Sequence, residues 1–529
     1  MLKKWFKSFF QKKDFSLDGL LPNEQKIAQK FDGDLHRVKQ RIKMIFGSTA
    51  DLMIENIKVG QRDGMLFYLT TMTDWQVVTN KVLYPLTESV DQKEQILTDA
   101  EWKNYGKKVF SGSQHTFIEL EQQIVEAIVN GEAVIFVNGM QSVLSIKIKA
   151  FEKRGIEEPT TQTIVRGPKD GFNEDIQTNL SLIRKRIKNP ALRFENYTIG
   201  SETGTSVYLA YVDGIINKKI LAEIQKRLAK IDTNALFDSG MLEELIEDKT
   251  FTPFPLLYNT ERPDAIAAHL ISGKFALIVD GSPFVLAAPA TFNDFTSVSE
   301  DYYQPFLMGS FMRLIRYLAF LMALLLPSFY VAVITYHHEM IPTQLLISVI
   351  SQREGIPFPA VIEALLMEIT FEILREAGIR MPRAVGGTIS IVGGLVIGQA
   401  AVEAGIVSNI MVIVVALTAI ASFVSPIYSF AISTRLLRFL YIVIASIFGL
   451  YGVFLGMIML VAHLTSLRSF SVPYLAPFAP FTLQDHGDVV IRLPAWAMKK
   501  RPSYLKTESP NKQPNVQSPT PPQKRSDNS

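Results

Sequence analysis

The chain has 529 residues, 48% of them apolar, and a formal net charge of +3 carried by scattered basic residues. That balance leaves no nucleic-acid footprint, and the absence of cysteine excludes disulfides, thiolate metal sites and thiol nucleophiles. The length suits two to four domains, and the apolar residues are unevenly spread, with long charge-free runs only after about residue 300.

Residues 1–31 open with Met1-Leu-Lys-Lys-Trp-Phe-Lys-Ser-Phe-Phe10, basic and aromatic but without the apolar core of a signal peptide. They read as a basic N-terminal tail of a half that stays in the cytoplasm. Its lysines and aromatic rings are compatible with contact to an anionic leaflet, and equally with a solvated tail.

The next stretch repeats itself. Glu55-Asn-Ile-Lys-Val-Gly60 returns as Glu195-Asn-Tyr-Thr-Ile-Gly200, each followed by a short turn and an apolar strand. Gly131-Glu-Ala-Val-Ile-Phe-Val-Asn-Gly139 returns at nearly the same offset as Gly273-Lys-Phe-Ala-Leu-Ile-Val-Asp-Gly281. The Asn-Gly and Asp-Gly pairs predict hairpins with type I′ turns, positive φ at both central residues. Helical periodicity falls on 117–129, 172–188 and 217–229. The fold class is therefore an α+β soluble N-terminal half made of two duplicated subdomains, 32–155 and 160–295, followed by an α-helical multi-pass membrane domain. No catalytic, metal or cofactor constellation appears: Arg166-Gly-Pro-Lys-Asp-Gly-Phe172 lacks a phosphate-loop pattern and reads as a turn capping the next helix, and the seven histidines lack ligand spacing. Glu261-Arg-Pro-Asp264 reads as a helix start. No enzyme activity, cofactor or metal is expected.

Residues 300–467 read as a transmembrane domain with four to five helices. Charge-free runs cover Tyr317–Tyr336, Ala404–Thr434 and Phe439–Leu467, and Ala384–Val402 adds a glycine-rich run. Gly394 with Gly398, and Gly452 with Gly456, are helix-packing glycines. Pro357–Ala377 is long enough to cross yet carries Glu363, Glu368, Glu372 and Glu376. Loop arginines favour its crossing, giving five passes and residues 463–529 on the outer face. Carboxylates at that depth need protein or water around them, so Glu363, Glu368, Thr370, Glu372 and Glu376 are candidate pore-lining residues of a homo-oligomer. An acidic stripe lying at the aqueous interface is the competing reading. A Pro- and aromatic-rich surface segment spans 468–501, and the polar tail 502–529 is expected to be disordered.

Over about 32–500 these motifs resemble the A subunit of the GerA family of spore germination receptors. The matching stretches include Val165-Arg-Gly-Pro168, Thr260-Glu-Arg-Pro-Asp264, Asp280-Gly-Ser-Pro-Phe284 and Gly309-Ser-Phe-Met-Arg-Leu-Ile-Arg-Tyr317. Arg353-Glu-Gly-Ile-Pro-Phe-Pro359, the acidic segment from Glu363 to Gly378, and Ser390-Ile-Val-Gly-Gly394 onward to Gly405 extend the match. Ser272-Gly-Lys274 departs from the Glu-Gly-Arg of the family pattern. The resemblance implies residence in the spore inner membrane and assembly with a transporter-like, nutrient-binding B subunit and a lipoprotein C subunit. It also implies an oligomer that conducts ions. A non-conducting membrane scaffold of the same complex, and an A-type paralogue acting with the dipicolinate-release machinery, are the alternatives. A secondary transporter fits less well, since no inverted repeat shows among the spans.

Overall fold

The computed structural model describes residues 33–90, 98–148, 158–159, 161–381, 393–394 and 396–513. The basic tail 1–31 and most of the glycine-rich run 384–402 lie outside the described residues. The chain forms two units, residues 1–47 with 51–151 and residues 48–50 with 152–529.

The first unit is a five-stranded antiparallel sheet with helices on both faces. Helix α1 (Leu35–Phe46) is capped by Asp34, and its Val38, Ile42 and Phe46 recur at helical spacing on one buried face. Strands β1 (Leu52–Val59) and β2 (Arg62–Leu69) form a hairpin. Short helices α2 (Trp75–Val78) and α3 (Tyr84–Val90) and the Thr98-capped α4 (Asp99–Val109) lead to β3 (His115–Ile118). Helix α5 (Glu121–Val129) precedes β4 (Glu132–Val137) and β5 (Val143–Lys147). The strand order is β1-β2-β4-β5-β3. Strand alternation divides the core: Leu66, Tyr68, Ile135 and Val137 join Trp102 on one face, while Phe67, Leu69, Val134 and Phe136 join α1 and α5 on the other. The helical expectation for 117–129 holds only from Glu121, because Phe117 and Ile118 pair with Leu144 and Val143 in the sheet.

The second unit repeats the pattern. Helix α6 (Ile176–Arg186), capped by Asp175, leads into β6 (Leu192–Ile199) and β7 (Thr205–Val212). After α7 (Lys218–Leu228) and α8 (Ser239–Ile246) come β8 (Tyr258–Thr260), α9 (Pro263–Ser272), β9 (Phe275–Val279) and β10 (Val285–Ala288). The order β6-β7-β9-β10-β8 is that of the first sheet, strand for strand, as the sequence repeat requires. The β4–β5 and β9–β10 connections are wider than type I′ turns: Gly139 (φ 80°) and Gly281 (φ 82°) carry positive φ, whereas Asn138 and Asp280 do not. Pro263 at the first turn and Asp264 behind it start α9 as its sequence predicts.

Helix α10 (Phe292–Thr296) and a turn at Ser299–Tyr302 deliver the chain to a helical layer: α11 (Phe306–Tyr336), α12 (Thr343–Arg353), α13 (Ala360–Arg380), α14 (Asn409–Phe423) and α15 (Tyr428–Ser466). Among the described residues, α11 and α15 have the length and composition to cross a bilayer. The run Ala404–Thr434 is not one helix: α14 ends at Phe423, and α15 begins two residues after Pro426. Helix α15 is itself two arms. Gly449 (φ 62°, ψ −147°) breaks it, and the chain folds back there. The side-chain position of Gly456 abuts the Tyr441 ring, and the Phe254 ring lies 6.0 Å from Phe430 and 6.4 Å from His463. In a straight helix those last two residues would stand about 50 Å apart.

The second arm therefore ends where the first began, beside the second sheet, and the segment after it stays there. Ser469 Oγ donates to the Leu256 carbonyl at 2.7 Å, Arg501 Nε to Ile271 at 2.8 Å, and Asn217 Nδ2 to Leu505 at 3.2 Å. This corrects the expectation that residues beyond 463 occupy the face opposite the soluble half, and that 502–529 is disordered throughout: Leu505 is fully buried. Leu505, with Tyr504 packed beside it against the core, and a few backbone hydrogen bonds anchor a tail whose composition alone looks unable to fold. Residues 514–529 lie outside the described residues.

Glycine at 449 is required, since an added Cβ would approach His337 Cε1 to 2.9 Å in a backbone region essentially reserved for glycine. Replacing Gly449 with Ala is expected to destabilise the helical layer by about 2–4 kcal/mol, read as a lower thermal midpoint of the detergent-purified chain.

Candidate functional site

The charged residues of the helical layer converge on α13. Proline at 357 and 359 fixes an extended entry, and twenty-one residues rich in Leu, Ile, Ala and Glu then propagate the helix to Arg380. Its contacts give its direction. Near its start, Glu363 is fully buried; it accepts from Arg353 Nη2 at 3.0 Å and from the Ser408 N–H at 3.0 Å, beside Tyr330 in the last turns of α11. Near its end, Arg375 donates to Ser422 Oγ at 2.7 Å and stacks over Phe423, the last residue of α14. Helix α13 thus runs the length of the layer, antiparallel to α11 and alongside α14.

Between those ends sits a cluster of five charges. Glu368, 2% exposed, and Arg438, 1% exposed, pair at 3.0 Å. The same Arg438 Nη2 reaches Glu372 Oε1 at 3.0 Å. Glu372 also accepts from Arg435 Nη1 at 2.8 Å and from Arg375 Nη1 at 3.2 Å. Glu368 and Glu372 share a helix face by i, i+4 spacing, and Arg435 and Arg438 match them by i, i+3 on the first arm of α15. Taking such charges out of water costs several kcal/mol per ion, recovered only with good pairing. The pairing is incomplete: Glu368 Oε1, Arg375 Nε and Arg438 Nε are buried with no protein partner among the described residues.

The other candidates sit elsewhere. Glu376 pairs with Arg380 on the exposed end of the helix, and Thr370 Oγ1 turns back onto the Leu366 carbonyl. The exposed stripe of α13 is Ile362, Leu366, Ile369 and Ile373 and ends at Glu376, whereas Glu363, Glu368 and Glu372 face inward, toward the chain's own arginines. Gly394 lies against Phe371 and Gly398 against Val412, while Gly452 and Gly456 let the two arms of α15 close on each other at Ile444 and Tyr441. Sequence reasoning missed Arg435 and Arg438 as counter-charges. Their signal was an Arg pair one turn apart at the edge of a charge-free run.

A second charged knot ties α11 to its surroundings. Asp301 accepts from Arg313 Nε at 2.9 Å and from Arg316 Nη1 at 2.8 Å; Arg313 also donates to Asp488 Oδ1 at 2.9 Å. Burial alone would raise the Asp301 carboxyl, but Arg316 and Arg313 overcome it and hold it below the usual range. Arg492 Nη1 donates to the carbonyls of Asp301 and Gln304. In the second sheet unit, Lys274 pairs with Asp294 at 2.7 Å, and burial with the Lys274 charge pushes His269 down to about 3, so that it stays neutral.

One cleft, of about 220 Å³, is lined by Thr161, Gln162, Asp238, Glu243, Asn259 and Ser429 among others. There burial, with the charge of Glu247 beside it, pushes Glu243 up to about 7 against the opposing N–H of Leu257.

The GerA profile, described as the Bacillus/Clostridium GerA spore germination protein, matches residues 40–504. Spore germination protein KA of Bacillus subtilis (strain 168) is 47% identical over 482 residues, covering 90% of this chain and 87% of that protein. The uncharacterized membrane protein YfkQ of the same organism is 42% identical over 496 residues, covering 93% and 95%. Among solved structures, the N-terminal domain of the A subunit of the Bacillus megaterium spore germinant receptor GerK3 is 32% identical. It covers 50% of this chain and 98% of that one, with a TM-score of 0.41.

Two outcomes test the electrostatics. Replacing Arg438 with Met strands the buried Glu368 carboxylate and takes one of three arginines from Glu372, and is expected to cost about 3–5 kcal/mol, whereas pairing it with Glu368→Leu and Glu372→Gln should recover most of that loss, measured as thermal midpoints in detergent. Glu243 has a folded pKa above its unfolded one, so its contribution is full below about pH 4.5 and is lost as pH rises through 7. Glu243→Gln is therefore expected to be near neutral at pH 5 and stabilising by roughly 1–2 kcal/mol at pH 8.

Proposed function

The chain belongs to the GerA family of spore germination proteins, and from that premise we propose that it is the A-type subunit of a nutrient germinant receptor. In this reading it works in the spore inner membrane with a transporter-like B subunit that binds the nutrient and a lipoprotein C subunit. Oligomers of the chain conduct cations once the nutrient signal arrives.

Its membrane half crosses six times. Helix α11 passes outward, α13 inward, the helix containing residues 396–403 outward, α14 inward, and the two arms of α15 outward and back. Two contacts support the direction of the helix containing residues 396–403: Gly393 nears Leu374 at the inner end, and Gly405 nears the Gly355 carbonyl at the outer end. The soluble half and the tail after 467 then share the cytoplasmic side. Arg313, Arg316, Arg375, Arg380, Arg435, Arg438 and Arg468 fall near that side and Arg353 near the other, as charge bias in membrane proteins favours. The acid-bearing helix crosses, as five passes also required, and the extra pass comes from the reversal at Gly449.

One observation supports the conduction reading: Glu368 and Glu372, on a helix that crosses in this reading, are held by arginines from a neighbouring helix. Ionisable residues there are costly and mark ion pathways by default. With Arg435 and Arg438 in place the carboxylates are occupied, which is a closed state. Nutrient binding to the B subunit opens the path by drawing the first arm of α15 away, leaving Glu363, Glu368, Thr370, Glu372 and Glu376 to line it. A non-conducting scaffold is the second reading, favoured by the apolar stripe that α13 presents outward.

Conductance of purified oligomer in planar bilayers separates them. Neutralising Glu372 to Gln is expected to lower cation-over-anion selectivity, and Arg438→Gln to raise the open fraction; currents unchanged in both variants would leave the scaffold standing. Topology is tested independently, because a chain without cysteine accepts single probes. Cysteines at His338 and Glu354 should label from outside and one at Lys499 only after permeabilisation, whereas five passes would expose Lys499 outside.

A further inference from the structure

Two loops of the second unit each present one large apolar side chain almost wholly to solvent: Val165 is 92% exposed and Phe251 93%. Both loops are fastened to the inner ends of the long apolar helices. Gly167 lies against the ring of Tyr303, three residues before α11, and Tyr303 donates to Asp264 while Arg262 holds the Pro168 carbonyl at 3.1 Å. On the other loop, Thr252 Oγ1 contacts His463 Nε2 at 3.0 Å, and Ser433 donates to the Pro253 carbonyl. Phe251 is thus one and two residues from anchors on the two arms of α15.

The apolar outer stripes of those helices begin at the same level. On α11 the stripe is Leu307, Phe311, Leu314 and Leu318, starting in the first turn and ten residues before the charge-free run. On the first arm of α15 it is Tyr428, Ile432, Leu436 and Leu440. The loops therefore do not hang in water below a distant bilayer. Exposed basic residues, Arg166, Lys249 and Arg468, stand directly beside Val165, beside Phe251 and at the end of the second arm. Apolar side chains one or two positions from cations, at the rim of a membrane-spanning bundle, match the interfacial layer of a leaflet with anionic headgroups.

We propose that the membrane-facing side of the second α/β unit is a lipid-docking surface, with Val165 and Phe251 inserted between headgroups and Arg166, Lys249 and Arg468 placed at their phosphates. The surface seats the soluble half on the bilayer at two points flanking α11 and α15, so the receptor's soluble and membrane halves share a third contact, the lipid itself. This rests on the membrane-crossing reading above.

The test uses the full chain in nanodiscs of phosphatidylcholine with phosphatidylglycerol, carrying a nitroxide on Val165→Cys, Phe251→Cys or, as bilayer reference, Leu440→Cys. At positions 165 and 251, collisions with oxygen are expected to exceed those with a water-soluble nickel chelate, as at 440, and Lys249→Glu should shift the label at 251 toward the nickel-accessible side. If 165 and 251 match a free nitroxide in buffer while 440 reads lipid, the docking surface is overturned and the membrane-crossing reading stands. If 440 also reads water, both fall.

Discussion

A carboxylate removed from water must meet a counter-charge, and in this chain that requirement decides how the helical layer is built. Glu368 is buried and Glu372 half-buried on one face of α13, and the cations that reach them come from α15 and from Arg375 one turn along. A surface ion pair adds little to stability, but losing one partner here leaves an uncompensated buried charge. The five-charge cluster therefore fixes the register of α13 against the first arm of α15, while Glu363, Arg353 and the Ser408 N–H fix its other end. Glu363 accepts from the backbone at the N-terminus of α14, where the positive end of the helix dipole favours a carboxylate. With both ends pinned by charge, the apolar stripe of α13 is left to face outward.

The soluble half met its sequence reading well because its signals are local. Two blocks repeated in order translate into two sheets of identical strand order, since a hairpin and its neighbouring helix are specified within about thirty residues. The helix start at Pro263 and Asp264 was equally readable. The misses follow from the same locality. Asn138-Gly139 signals a tight turn, but the strands part earlier because the loop must carry Ser142, whose carbonyl accepts from the buried Trp102 indole. Phe117 and Ile118 suit a helix as well as a strand, and the free edge of β5 takes them.

In the helical half the sequence shows which residues are apolar but not where a helix turns back. Phe439–Leu467 reads as one crossing because hydropathy has no term for a reversal; Gly449 is one of several glycines there, and its positive φ sets it apart. The arginines that face the acidic stripe were missed for a related reason. Helical periodicity finds an acidic stripe on α13 but cannot reveal that Arg435 and Arg438, more than sixty residues later, face it. A straight final helix would have made a tail on the soluble side incompatible with a crossing acidic helix; the reversal removes that conflict.

The two charged knots are joined through one patch of packing. Asp301, in the turn that leaves the second sheet unit, holds both arginines of α11, and Arg313 in turn grips Asp488 in the returning tail. Arg316 also donates to the Thr296 carbonyl, and with Phe295, Thr296, Ser422, Ser425 and Thr434 it lines a void of about 20 Å³. That is room for about one water. Ser422 is the partner of Arg375, and Thr434 precedes Arg435, so the lining of the void adjoins the α13 cluster. A close-packed interior deforms by switching between arrangements and not by gradual yielding. Tilting the second sheet unit against α11 must therefore either break the Asp301 pairs or carry α11 along, and an α11 that moves shifts the wall on which Arg375 and Arg435 are braced.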